Sequence, residues 1–171
     1  MILETENLII RRFVDSDKDD FEILINDKMN SKYSIYDAQY PTDKENLSKV
    51  FAYFKESNEF YAVELKCKHR LIGFISLNYI DEDSRNFGYC LHSNYQQRGF
   101  GKEMVNTIIT YAKDILKLKK LVSGTAEENI PSIRLLLGSG FKIVKKELTS
   151  FTNDANGDPI TFIGCLFEYI F

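Results

Sequence analysis

Apolar runs and polar turns divide the chain into seven strands and four helices. Residues 8–14, Leu-Ile-Ile-Arg-Arg-Phe-Val, read as a strand. Asp15-Ser16-Asp17 then caps a helix to about Asn26, with Phe21, Leu24 and Ile25 on its apolar side. Residues 28–41 are loop-like and carry Tyr33, Tyr36 and Tyr40. Thr42 and Glu45 form a capping box that starts a second helix bearing Leu47, Val50, Phe51 and Phe54. Residues 60–66 and 71–79 are strands joined by a polar turn. The turn 81–84 leads into a third strand of that group, 86–91. A long helix follows over 99–117, with a stripe of Met104, Val105, Ile108, Ile109, Ala112, Ile115 and Leu116. Residues 121–126 form a short strand. Residues 129–137 form a helix that accommodates Pro131 in its first turn and ends at Gly138-Ser139-Gly140. Strands at 141–151 and 160–171 flank a polar loop containing Asn156-Gly157. The order predicts antiparallel hairpins around a central βαβ unit. That is an α/β (α+β) mixed sheet with helices on both faces.

Composition narrows this reading. At 171 residues, one domain over residues 1–171 is expected. The charged residues, 22 basic and 25 acidic, give a net charge of −3, which lends no support to a nucleic-acid partner. The patch Lys117-Leu118-Lys119-Lys120 reads as a solvated helix end. The three cysteines, Cys67, Cys90 and Cys165, are odd in number and widely spaced, and with only His69 and His92 beside them no metal site is expected. The N-terminal Met1-Ile2-Leu3-Glu4-Thr5-Glu6-Asn7 lacks the pattern of a secretion signal. No apolar run approaches the ~18 residues of a membrane span, so a cytoplasmic protein without a membrane partner is expected.

The stretch Tyr95-Gln96-Gln97-Arg98-Gly99-Phe100-Gly101-Lys102 sits between a strand and a helix. Glycine there lets backbone approach a ligand and take positive φ. Free amides at a helix start form an anion site, to which Arg98 and Lys102 add charge. The physics points to phosphate or pyrophosphate, with a ligand-free turn as the alternative. Neither a Rossmann fingerprint nor a P-loop fits, because the third glycine and a Gly-Lys-Ser/Thr are missing.

Gln96-x-x-Gly99-x-Gly101 resembles the pyrophosphate loop of the GNAT (GCN5-related) N-acetyltransferases. Thr5-Glu6-Asn7-Leu8-Ile9-Ile10-Arg11 resembles the first strand of the RimJ/RimL-like branch. Ile72-Gly73-Phe74-Ile75, Phe87-Gly88-Tyr89-Cys90-Leu91, Glu128-Asn129-x-x-Ser132 and Gly140-Phe141 resemble later segments in family order. The resemblance implies an acyl-CoA N-acyltransferase fold whose mostly antiparallel sheet splays between the fourth and fifth strands. It implies acetyl-CoA as co-substrate, its pyrophosphate held by the amides of Gln96, Gln97, Arg98, Gly99, Phe100, Gly101 and Lys102. The Leu91 amide would face the thioester carbonyl and stabilise the oxyanion. Asn129 would bond the pantetheine arm, or simply cap its helix.

By the same resemblance, Ser132 is a candidate for protonating the leaving thiolate, three residues along the helix face from Asn129. Many relatives carry a tyrosine one turn later, where this chain has Leu136. The glutamate that many carry near the start of the fourth strand is replaced by Arg85-Asn86. His92 could substitute as base, or water could deprotonate the amine. Glu64 and Asp81-Glu82-Asp83 read as surface groups. Cys90 reads as a small buried hydrophobe. Tyr33, Tyr36 and His92 are candidates for the acceptor pocket.

Two functions stay open on this reading. One is an acetyl-CoA-dependent N-acetyltransferase acting on a primary amine, either a protein N-terminus or a small molecule, as a monomer or homodimer. The other is a non-catalytic module that binds acyl-CoA.

Overall fold

The computed structural model describes residues 3–171; Met1 and Ile2 of the N-terminal reading lie outside the described residues. Its strands are β1 (Leu3–Glu4), β2 (Leu8–Arg11), β3 (Phe60–Leu65), β4 (Arg70–Asp81), β5 (Ser84–Leu91), β6 (Lys120–Ala126), β7 (Lys142–Asn153) and β8 (Pro159–Ile170). Its helices are α1 (Lys18–Met29), α2 (Lys44–Glu56), α3 (Phe100–Asp114) and α4 (Ile130–Gly138). All eight strands join one sheet in the order β1-β2-β3-β4-β5-β6-β8-β7. Every neighbouring pair is antiparallel except β5 and β6, which are parallel and linked through α3. This is the expected mixed sheet with a central βαβ unit. The short β1 adds a strand, so the expected fourth and fifth strands are β5 and β6.

Each sheet face buries its own core. Met104, Val105, Ile108 and Ala112 of α3 and Leu136 of α4 pack with Ile75, Phe87, Leu121 and Phe167 of the sheet. On the other face α1 and α2 bring Phe21, Leu24, Ile25, Leu47, Phe51 and Phe54 onto Ala62, Leu71 and Phe74. Aromatic rings dominate that second core. Phe13 meets Phe21, Phe51 and Phe54 edge-on at 5.7–6.2 Å, a favoured geometry for their quadrupoles.

Several local expectations are corrected. The first strand ends at Arg11, because Phe13 leaves the sheet to enter the α1–α2 core. A 3₁₀ turn at Asp15–Asp17 precedes α1, which runs on to Met29. Asp43, not Thr42, caps α2: its carboxylate accepts from the Asn46 amide at 3.0 Å. A carboxylate is the stronger acceptor at a helix start. The long helix stops at Asp114; Lys117 takes φ 54° and Ile115 is exposed rather than part of the stripe.

Glu64 is not a surface group. It is buried, and Arg11 Nε donates to it at 2.7 Å. The same guanidinium donates twice to Asp17, at 2.7 and 2.8 Å, and Asp17 in turn accepts from the Val14 amide. One forked cation thus bonds both carboxylates and offsets one of their two charges, and His69 Nδ1 lies 3.3 Å from the other oxygen of Glu64.

Candidate active site

The parallel pairing of β5 and β6 stops at Asn86 and Val122. Beyond it, residues 87–91 of β5 keep their partners only on β4, and residues 123–126 of β6 keep theirs only on β8. A gap therefore opens between the two strands, lined by backbone edges. The His92 amide donates to the Ile72 carbonyl at 2.9 Å. Successive residues of an extended strand turn their backbone groups to opposite edges. The Leu91 amide accordingly faces the gap. Its carbonyl, on the same edge, accepts from Gln96 Nε2 at 2.8 Å.

Close packing of β4 on β5 holds this edge in place. A Cβ at Gly73 would sit 2.4 Å from the Cys90 carbonyl oxygen, so only glycine lets the strands approach this way beside Leu91.

The Gln96–Lys102 loop ends in the first turn of α3. Gln97 at φ 57° and Gly99 at φ 90° are both left-handed, which turns the chain sharply into the helix. No side chain caps α3, so none of its first amides has a side-chain acceptor at the cap. Nothing lies within 4 Å of a Cβ built on Gly99, so the space above the helix start is open. Arg98 lies over the rings of Tyr95 and Phe100, with centroids at 5.9 and 5.4 Å. Lys102 is exposed. The loop is anchored from below by Glu103, which accepts from the Asn7 amide at 2.8 Å, from Asn7 Nδ2 at 3.0 Å and from the Thr5 hydroxyl. The Thr5–Asn7 turn thus holds the start of α3, a link that sequence reading did not anticipate.

Asn129 caps α4, its side-chain oxygen accepting from the Ser132 amide at 3.4 Å. The Ser132 hydroxyl lies 2.7 Å from the hydroxyl of Tyr89 on β5. Tyr89 shares the strand face of Leu91, two residues on, which aims it at α4. Burial pushes its phenol up to about 12. Alternation along Phe87–Leu91 carries enough signal to put Tyr89 on that face; its partner on α4 is visible only in the fold. Leu136, one turn beyond Ser132, is fully buried in the core and offers no polar group.

Cys90 and His92 lie on the opposite face, toward α1. Burial pushes the Cys90 thiol up to about 12, so it behaves as a small hydrophobe. His92 Nδ1 accepts from the Asn94 amide at 3.2 Å and lies 3.8 Å from Asp27. That acceptor role assigns the neutral ring's proton to Nε2. Asp27 accepts from the amide and hydroxyl of Ser93 at 2.8 and 2.5 Å, fixing the chain just beyond β5. The three tyrosines separate. Tyr36 packs on Phe162 of β8 at 5.2 Å. Tyr40 joins the α2 core against Phe54 and Phe74. Tyr33 lies beneath Lys32. Lys28 pairs with Asp37 beside them. No group of three or more potential metal ligands occurs among the described residues, and no helix there is long and apolar enough to cross a membrane.

Comparison with known proteins bears on the family and the fold. The chain is 26% identical to the uncharacterized N-acetyltransferase YoaA of Bacillus subtilis over 146 residues, 82% of each chain. It is 29% identical to the spermine/spermidine N(1)-acetyltransferase of the same organism over 96 residues, which is 52% of this chain and 63% of that one. A GNAT-family acetyltransferase from Bacillus anthracis superposes with a TM-score of 0.82 at 19% identity, covering 99% of this chain and 98% of that one. The ribosomal-protein-S5-alanine acetyltransferase of Vibrio fischeri gives 0.76 at 19% identity over 99% and 96%. The spermidine N-acetyltransferase of Vibrio cholerae, solved with CoA and spermine, gives 0.77 at 19% identity over 97% and 96%. At these identities the superpositions establish the fold alone. A profile described as an acetyltransferase (GNAT) domain matches residues 7–142. That span is well over half of the sequence, so the chain belongs to the GNAT family and is an N-acetyltransferase that moves an acetyl group onto an amine.

Proposed function

We propose that the protein transfers the acetyl group of acetyl-CoA to a primary amine by direct attack within a ternary complex. The observation that carries this is the free edge of β5 beside an uncapped helix start. One gap offers the Leu91 amide at its end and the first amides of α3 at its mouth. These groups fit an acyl-CoA. Residues Gln96 to Lys102 take the pyrophosphate, and Asn129, through its side-chain amide not used in capping, takes the pantetheine arm.

The amine lone pair adds to the thioester carbonyl carbon. The oxygen gains the charge, and the Leu91 N–H stabilises it more as that charge grows. Water takes the proton that the amine nitrogen loses, since the His92 ring keeps its acceptor nitrogen on the Asn94 amide. As the carbon–sulfur bond breaks, the electron pair moves to sulfur. Ser132 gives sulfur its proton and recovers one from water.

We assign the chain to the RimJ/RimL-like branch on its Thr5–Arg11 segment, with an acceptor that is a protein N-terminus or a small amine. Tyr33, Tyr36 and His92 border the acceptor side. The polyamine acetyltransferase relative favours a small cationic amine as the second reading of the acceptor. Three free cysteines fit the reducing cytoplasm, as a monomer or homodimer.

The test is free-thiol release from acetyl-CoA with spermine, an alanine-initiated peptide and hydroxylamine as acceptors. Amine-dependent release above the rate without protein, with any of them, supports the transfer. Binding of acetyl-CoA without release in all three would return the chain to the binding-module reading.

A further inference from the structure

We infer that Tyr89 is a positioning residue for the acid step: it donates its hydroxyl hydrogen to Ser132 and so leaves the Ser132 hydrogen aimed into the gap. The inference rests on the reading of Ser132 as the acid. It goes beyond that reading by naming what orients and strengthens the acid.

The geometry carries it. The two hydroxyl oxygens are 2.7 Å apart, the ordinary separation for an O–H···O hydrogen bond. Tyr89 reaches Ser132 from the strand and Ser132 meets it from α4, across 43 positions of sequence. Each hydroxyl has one hydrogen, so only one of them can donate to the other. A phenol is the more acidic of the two and the stronger donor. If Ser132 donated to Tyr89, its only hydrogen would be held by the phenol and not free for the sulfur.

With Tyr89 as donor, two consequences follow. The Ser132 hydrogen is free to meet the departing sulfur. The alkoxide character that Ser132 acquires as it gives up that hydrogen is stabilised by the phenol behind it, and hydrogen bonding to the charged form favours that form. Burial keeps the phenol protonated across the neutral range, so it remains a donor there. A hydroxyl from β5 thereby assists from the side, while the position one turn along α4 is the buried Leu136. The balance of the reaction is unchanged. Sulfur takes the Ser132 proton, Ser132 recovers one from water, and Tyr89 keeps its own.

The experiment is a double-mutant cycle on the full chain: Tyr89→Phe, Ser132→Ala and the pair. It is read by thiol release from acetyl-CoA with spermine, an alanine-initiated peptide or hydroxylamine, each taken above the rate without protein. Acetyl-CoA-induced thermal stabilisation, measured alongside, checks that each variant folds and binds. The expected result is a kcat loss of about 100-fold for Ser132→Ala, at the lower end for a general acid. Tyr89→Phe loses about 10-fold in kcat with little change in KM, the ratio for one lost hydrogen bond of about 1.4 kcal/mol. The pair is no worse than Ser132→Ala alone. Replacing the CoA thioester by an aryl thioester, whose thiolate leaves without help, shrinks both defects together.

Loss in Ser132→Ala with none in Tyr89→Phe overturns the inference and leaves the acid reading standing. So do additive losses in the pair, or a Tyr89→Phe defect that the better leaving group does not relieve. Full activity in Ser132→Ala overturns the acid reading and the inference with it. No turnover of the wild-type chain with all three acceptors overturns both as well.

Discussion

The Gln96 side chain donates to the carbonyl of Leu91 at 2.8 Å, tying the start of the glycine-rich loop to the end of the strand whose amide faces the gap. On the proposed function, one contact therefore couples the two parts that must be in register: the loop proposed to take the pyrophosphate and the amide proposed to face the oxyanion. Gln96→Leu removes it while keeping similar bulk. One neutral hydrogen bond is worth about 0.5–1.5 kcal/mol, so kcat/KM for acetyl-CoA should fall roughly 2- to 10-fold. Steady-state thiol release at varied acetyl-CoA checks this, and an unchanged kcat/KM would show that the two parts are set independently.

Gly99 at φ 90° begins α3 with open space above it. In the wild-type chain, acetyl-CoA at a hundredfold excess over its Kd should stabilise the fold by about 2.7 kcal/mol. For a chain of this size the unfolding midpoint should rise by roughly 5–11 °C. Gly99→Glu puts a carboxylate where the helix start would receive the pyrophosphate, and that rise should vanish. Gly99→Ala should keep part of it, at a cost of about 1–2 kcal/mol in the left-handed conformation. Differential scanning fluorimetry with and without acetyl-CoA separates these cases.

Glu103 holds the N-terminal turn against the first turn of α3. Partial burial pushes its carboxyl up, but hydrogen bonds from Thr5 and Asn7 outweigh this and leave it below the ordinary glutamate range. The sign follows by linkage. A depressed carboxylate contributes stability above its unfolded pKa of about 4.3 and loses it as pH falls through the lower folded value. Glu103→Gln should cost about 1–2 kcal/mol at pH 7. The difference from wild type should shrink below about pH 4. Urea unfolding at pH 7 and pH 3.5 tests this; a difference that does not shrink would show that Glu103 acts by shape rather than charge.

Arg11 bridges Asp17 and Glu64. The hydrogen bond to Asp17, ahead of that to Glu64, holds the guanidinium charged despite partial burial. Arg11→Met leaves Asp17 without a cation and Glu64 with only the exposed His69 ring at 3.3 Å, and should cost about 3 kcal/mol. Adding Asp17→Asn and Glu64→Gln removes both charges while keeping acceptors, and most of that loss should return. Chemical denaturation of the single and triple variants reads the comparison directly.

The sequence by itself determined the order of every strand and helix but the short β1, the two helix faces and the glycine-rich loop. Apolar spacing in 104–112, glycines at 99 and 101, and Asn129 ahead of Pro131 each carry their signal within a few residues. Helix boundaries slipped where side chains compete locally, as when Asp43 outcompeted Thr42 for the α2 start. What the tertiary structure decided are the relations between distant positions. Glu64 looks solvent-bound in its strand until Arg11 arrives from β2. Tyr89 is one of ten tyrosines until α4 delivers Ser132 to its hydroxyl. Glu103 reads as an ordinary first-turn acid until Thr5 and Asn7 close on it. The physical reason is one of range. Backbone propensity and periodicity act over a turn or a strand. Hydrogen bonds and ion pairs depend on distances of about 3 Å, which only the packed fold sets.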